Sequence, residues 1–140
     1  MSLGSRFGAV FVALAASVGS TAVALANGEP CQAEAEAVSA MSERDPSLAP
    51  PTDAAAAAQV KEGNRNYRVG DFAAAVEAYI EAGRLTDAPV VLYNLGQSYR
   101  SANEYEKAIR QYKLFVDRGQ PGPELRALVE CHVKTMKAEL

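Results

Sequence analysis

The sequence predicts an all-α fold built from stacked helical hairpins, and three observations carry that prediction. Two stretches superpose at an offset of 33 residues, so that Gly63 matches Gly96, Phe72 matches Tyr105, Ala75 matches Ala108 and Tyr79 matches Tyr112. A period in the thirties is the mark of a repeated supersecondary unit. Within each unit, apolar residues recur at steps of three and four, as in Leu92, Leu95, Gly96, Tyr99 and again in Tyr105, Ala108, Ile109, Tyr112. That spacing gives one apolar stripe per helix. The breaks between these stripes are short and built of Gly, Pro, Asn and Asp.

The elements follow in chain order. Residues 1–26 read as an export signal. Arg6 is the sole charge before Glu29, Phe7 to Ala26 are all apolar or small, and Ala24-Leu25-Ala26 sets small residues before a junction at Ala26–Asn27. A run of twenty such residues is also long enough to span a bilayer. An uncleaved anchor is therefore the rival reading, although Ala, Gly, Ser and Thr dominate where Leu, Ile and Phe favour a membrane.

Residues 27–53 form an acidic leader with six acids and one base, whereas residues 54–140 carry eleven acids and twelve bases. Gln32 to Met41 has the composition of a short helix with a thin apolar face. Pro46, Pro50 and Pro51 then predict an extended, mostly solvated and flexible linker. Two cysteines, Cys31 and Cys131, stand a hundred residues apart. An exported chain meets oxidising conditions, in which they can pair and tie the leader to the domain. Spacing alone leaves two separate thiols equally open.

Residues 54–87 and 88–120 are the two repeated units. Val69-Gly70-Asp71 and Ser101 to Glu104 are their inner turns, Leu85 to Pro89 joins them, and Gly119 to Pro123 closes the second. Residues 121–140 predict a final helix over Pro123–Leu140. On it Leu125, Leu128, Val129, His132, Val133, Met136 and Leu140 share an arc of about 140°.

At these positions the chain resembles the tetratricopeptide repeat, a helix-turn-helix unit of about thirty-four residues. Gly63-Asn64, Tyr67, Gly70-Asp71-Phe72, Ala75, Tyr79 and Ala82 look like one repeat. Leu92, Leu95-Gly96, Tyr99, Tyr105, Ala108 and Tyr112 look like the next, and the string from Val91 to Arg100 is similar to exported bacterial members. The resemblance covers about residues 54–120 and implies two repeats and a closing helix in a fragment of right-handed α-solenoid. Gln59, Glu62 and Asn66 depart from it, standing where large apolar residues are usual, and suit a polar end-cap.

The resemblance also implies a concave groove for a peptide or protein segment. It would be lined by Val60, Asn64, Tyr67 and Arg68 from the first repeat and by Tyr93, Asn94, Gln97, Arg100 and Ser101 from the second. Amides there can pair with a peptide backbone and arginine can fork onto a carboxylate. Asn64 and Asn94 resemble two members of a carboxylate clamp, but Val60 stands where its first lysine would be.

Composition removes other classes. A net charge of −3 with a pI near 5.2 disfavours a nucleic-acid binder. One histidine and two cysteines provide no metal centre or nucleophile–base pair, so no catalytic residue, metal or cofactor is expected. His132 reads as a packed structural histidine. Glu106 and Arg110 are spaced as an i,i+4 pair on a solvated face. The expectation is a non-enzymatic, exported interaction module of the periplasm or cell envelope, capable of self-association. Its alternative is an accessory subunit of an envelope complex anchored by the N-terminal helix.

Overall fold

Five helices follow one another in a computed structural model that describes residues 31, 41 and 43–140. They are α1 (Ala54–Arg68), α2 (Phe72–Leu85), α3 (Val90–Ser101), α4 (Tyr105–Gly119) and α5 (Pro123–Ala138), and no strand occurs among the described residues. The signal segment, its junction at Ala26–Asn27 and all but Met41 of the short helix expected over Gln32–Met41 lie outside them. Among the described residues no helix is long and apolar enough to cross a membrane.

Local chemistry fixes the helix ends. Asp53 and Asp71 cap α1 and α2, their carboxylates accepting from the backbone N–H of Ala56 at 2.8 Å and Ala74 at 3.0 Å. Pro123 opens α5 at a position where its missing N–H costs nothing. The inner turns are alike: Gly70 (φ +81°) and Asn103 (φ +59°) both take the left-handed conformation that Gly and Asn tolerate best. In each turn the following residue, Asp71 or Glu104, bonds back to a carbonyl five residues earlier.

Each helix packs on its neighbour in sequence, giving the hairpins α1–α2 and α3–α4 with α5 laid against α4. The hairpins close by the same device. The Tyr79 ring lies on Gly63 and the Tyr112 ring on Gly96, so a Cβ added to either glycine would fall 2.4 Å or 2.7 Å from ring carbons. Ala75, Ala82 and Ala108 are fully buried and admit the close helix approach. Tyr112, Phe115, Leu125, Leu128 and Val129 fill the space between α3, α4 and α5. Tyr93 meets Phe115 and Tyr112 with ring centroids 5.3 Å and 6.0 Å apart.

Three expectations are corrected. The extended linker over Pro46–Pro51 begins instead with a 3-10 turn, Pro46–Leu48, packed against α3. Its driving forces are the burial of Ser47, Leu48 and Pro51 and a double role for Asp45. One Asp45 oxygen accepts from the N–H and hydroxyl of Ser47, and the other accepts from the Gly122 N–H at 2.8 Å. The last helix ends at Ala138, and Leu140 is exposed beyond it rather than on the apolar arc. The Glu106–Arg110 pair does not form among the described residues. Glu104 holds Lys107 one turn earlier, and the ammonium lies 5.4 Å from the centre of the Tyr99 ring.

Candidate binding groove

Two parallel stripes build the groove. Val60, Asn64 and Tyr67 follow i, i+4, i+7 spacing on α1, and Val90, Asn94, Gln97 and Ser101 follow i, i+4, i+7, i+11 spacing on α3. Each set therefore shares one helix face. Between the stripes lies a cavity of about 250 Å³ lined by Asn64, Tyr67, Arg68, Tyr79, Asn94 and Gln97.

Hydrogen bonds hold most of this lining in place. The Tyr79 hydroxyl donates to Asn64 Oδ1 at 2.6 Å, which leaves the Asn64 NH2 group as donors for another molecule. Tyr67 and Ser101 share a hydroxyl–hydroxyl bond of 3.0 Å and tie α1 to α3. Gln97 Nε2 donates to the Tyr93 hydroxyl at 2.6 Å, while its carbonyl accepts from Arg100 at 3.2 Å. The Gln97 amide is thus committed within the protein. Asn94, beside it, makes no side-chain hydrogen bond among the described residues and keeps donor and acceptor free. None of the six lining residues is a carboxylate, so the surface offers mainly N–H and O–H donors.

Electrostatics follow from burial. Desolvation, reinforced by the neighbouring Tyr67, pushes the Tyr79 hydroxyl up to about 12, so it stays protonated and donates. Burial also raises the Tyr93 and Tyr112 hydroxyls. His132 is pulled down to about 4, first by burial and then by the nearby Arg100 cation. It is neutral at pH 7 and stacks on Tyr112 with centroids 6.1 Å apart.

Five of the nine groove residues expected from sequence therefore line one cavity: Asn64, Tyr67, Arg68, Asn94 and Gln97. Ser101 stands behind it as the partner of Tyr67. Val60 and Tyr93 are core residues, exposed by only 7% and 5%, and do not line the cavity. Val60 stands at the buried end of the α1 stripe, and Tyr93 lies beside the α3 stripe with its ring against Tyr112 and Phe115. Arg100 turns inward, bonding Gln97 and approaching Tyr112 and His132, with its Nε buried and unpartnered among the described residues. Tyr79 is the lining residue that sequence reasoning missed. Its ring reaches the groove because Gly63 has no side chain to hold it off, and the Gly63–Tyr79 pairing with Gly96–Tyr112 was the available signal.

Cys31 and Cys131 form a disulfide with Cα atoms 6.0 Å apart. Among the described residues no three His, Cys, Asp or Glu side chains are grouped so as to hold a metal ion.

No protein-family model matches this chain, and no curated protein and no solved structure is significantly similar to it.

Proposed function

We propose that this chain is an exported, tetratricopeptide-type helical-repeat module that docks an extended peptide or protein segment between α1 and α3 and performs no chemistry itself. The observation that carries the reading is the cavity itself. It gathers Asn64, Tyr67 and Arg68 with Asn94 and Gln97 from two helices, beside free amide groups suited to a peptide backbone. The repeat reading is supported by equivalent contacts at an offset of 33: tyrosine on glycine in both hairpins and a left-handed residue in both inner turns. Export is supported by the Cys31–Cys131 bond, which belongs to an oxidising compartment. An intact mass beginning at Asn27 is the expected form of the mature protein.

The docking test is a selection of peptides from a display library on the oxidised protein. Selected peptides are expected to lose at least tenfold in affinity for Asn64→Ala/Asn94→Ala, with circular dichroism checking that the variant keeps its helix content. Peptides that bind this variant as well as the original chain would refute the groove.

A further inference from the structure

We infer that the groove selects segments carrying an internal acidic side chain, and that Arg68 is the residue that takes its carboxylate. The inference rests on the groove reading and names the chemistry of the ligand.

The two helices that frame the groove are unbalanced in charge. α1 carries Lys61, Arg65 and Arg68 against Glu62 alone, and Arg100 is the only charge on α3. Glu62 is already committed. It pairs with Arg65 at 3.0 Å, and both border the crevice on the outer face of α1, away from the cavity. Arg68 and Arg100 enter no ion pair among the described residues. Both stand in the last turn of their helices, where any cation interacts well with the helix dipole. Arg65 stands in the last turn of α1 as well, so that role does not account for a second arginine turned to the cavity.

Arg68 is exposed on the cavity wall, with five N–H donors and no acceptor of its own. Its charge is felt inside. Burial and Tyr67 push the Tyr79 hydroxyl up, and the Arg68 cation pulls against them. Arg100 stands behind Gln97, donating to its carbonyl at 3.2 Å, and its buried Nε has no partner. Two uncompensated guanidinium groups thus face one end of a cavity that no carboxylate lines. Partly buried charges are little screened by salt, so this end of the groove favours an anion.

The size of the cavity limits what the anion belongs to. Its 250 Å³ fall below the roughly 300–1,000 Å³ of pockets that take whole small molecules. It has room for one side chain of a longer segment. Asn64 presents only donors, because Tyr79 occupies its carbonyl. Asn94 keeps a donor and an acceptor, which match the C=O and N–H of a passing peptide unit. A segment held at Asn94 by its backbone can set an Asp or Glu side chain against Arg68, which forks onto carboxylates in a bidentate manner. A segment that runs through in this way presents its charge as a side chain and not as a chain end. The clamp that would hold a chain end also lacks its first lysine, whose place is taken by the buried Val60.

The test uses three pools of short synthetic peptides on the immobilised, oxidised chain. The first has blocked ends and Asp or Glu at internal positions. The second is the same with Asn or Gln at those positions. The third is the second with a free C-terminal carboxylate. The first pool is expected to be retained at least tenfold more than either of the others. Arg68→Gln should abolish that preference, and Arg65→Gln, which removes the same charge outside the cavity, should keep it. Circular dichroism checks that both variants stay helical. Should Arg68→Gln lose its helices, the three pools on the original chain and Arg68→Lys, expected to keep only part of the preference, decide the matter.

Equal retention of the first two pools, lost in Asn64→Ala/Asn94→Ala, overturns the acidic selectivity and leaves the groove standing. Retention of the third pool to match the first overturns the internal side chain in favour of a chain end. An equal effect of Arg65→Gln and Arg68→Gln overturns the assignment to Arg68, since net charge then suffices. If no pool is retained, the groove reading fails and the selectivity falls with it.

Discussion

The two hairpins share one plan and differ in what surrounds them. In α1–α2 the buried residues are mostly small, namely Ala56, Gly63, Ala75, Ala78 and Ala82, with Val60 and Tyr79 as the larger members. In α3–α4 the small Gly96, Ser98 and Ala108 are joined by seven larger residues, Val90, Val91, Tyr93, Leu95, Ile109, Tyr112 and Phe115. The position held by Phe115 is held by Ala82 in the first hairpin. Among the described residues the first hairpin has a helical neighbour on one side only, and the outer face of α1 presents Ala54, Ala58, Lys61 and Arg65 to an open crevice. The second lies between the first and α5. The two hairpins thus agree in backbone shape, while the number of neighbours sets side-chain size and with it the share of stability each hairpin carries.

The largest test of this contrast is Phe115→Ala, which gives the second hairpin the residue of the first. Phe115 is fully buried against Tyr93. The loss should be about 3–5 kcal/mol, from transfer and cavity effects together. Urea unfolding measures it, and a loss below about 1 kcal/mol would mean the two hairpins contribute alike.

Acid should act on the second hairpin next. His132 has a folded value near 4 against 6.5 for the free side chain, because burial and Arg100 disfavour its charged form. Between those values the unfolded chain binds the extra proton, so stability is complete above pH 6.5 and falls as pH drops towards 4. The loss reaches about 3 kcal/mol at the lower end. His132→Leu should flatten the pH profile of urea midpoints across this window, and an unchanged slope would contradict the assignment. Asp45 adds to acid sensitivity at lower pH. Burial pushes its carboxyl up, but the bonds from Ser47 and Gly122 outweigh this and hold it below its usual value.

The finest discrimination comes from the paired glycines. Gly96→Ala drives a methyl group into Tyr112, which is enclosed by Tyr93 and His132 and has nowhere to move. A cost of about 2–3 kcal/mol is expected. Gly63→Ala meets Tyr79, whose hydroxyl end borders the open cavity, so the ring can shift at about 1 kcal/mol. Equal thermal shifts for the two variants would remove this distinction between the hairpins.

Much of this architecture was legible in the residues. The 33-residue offset and the Gly, Pro and Asx breaks located all five helices, because backbone geometry is dictated by local pattern. Side-chain fate was less legible. Val60 and Tyr93 share helix faces with groove residues, and only the neighbours on the far side decide that they are buried. Arg100 was read as a groove cation and turns inward because Gln97 offers it an acceptor. The leader was the least legible part. Three prolines signal the end of a helix, but the turn Pro46–Leu48 is held by Asp45 reaching a backbone N–H 77 residues away, which no local pattern encodes.

The bond between Cys31 and Cys131 also closes a covalent ring that contains α1 to α4 entire. A pull applied through the two ends of the chain is carried across the sulfurs and bypasses these helices. On the C-terminal side of the ring, the final turns of α5 bear the load. A partner held between α1 and α3 would therefore sit on a surface that keeps its shape under tension, for as long as the ring stays closed.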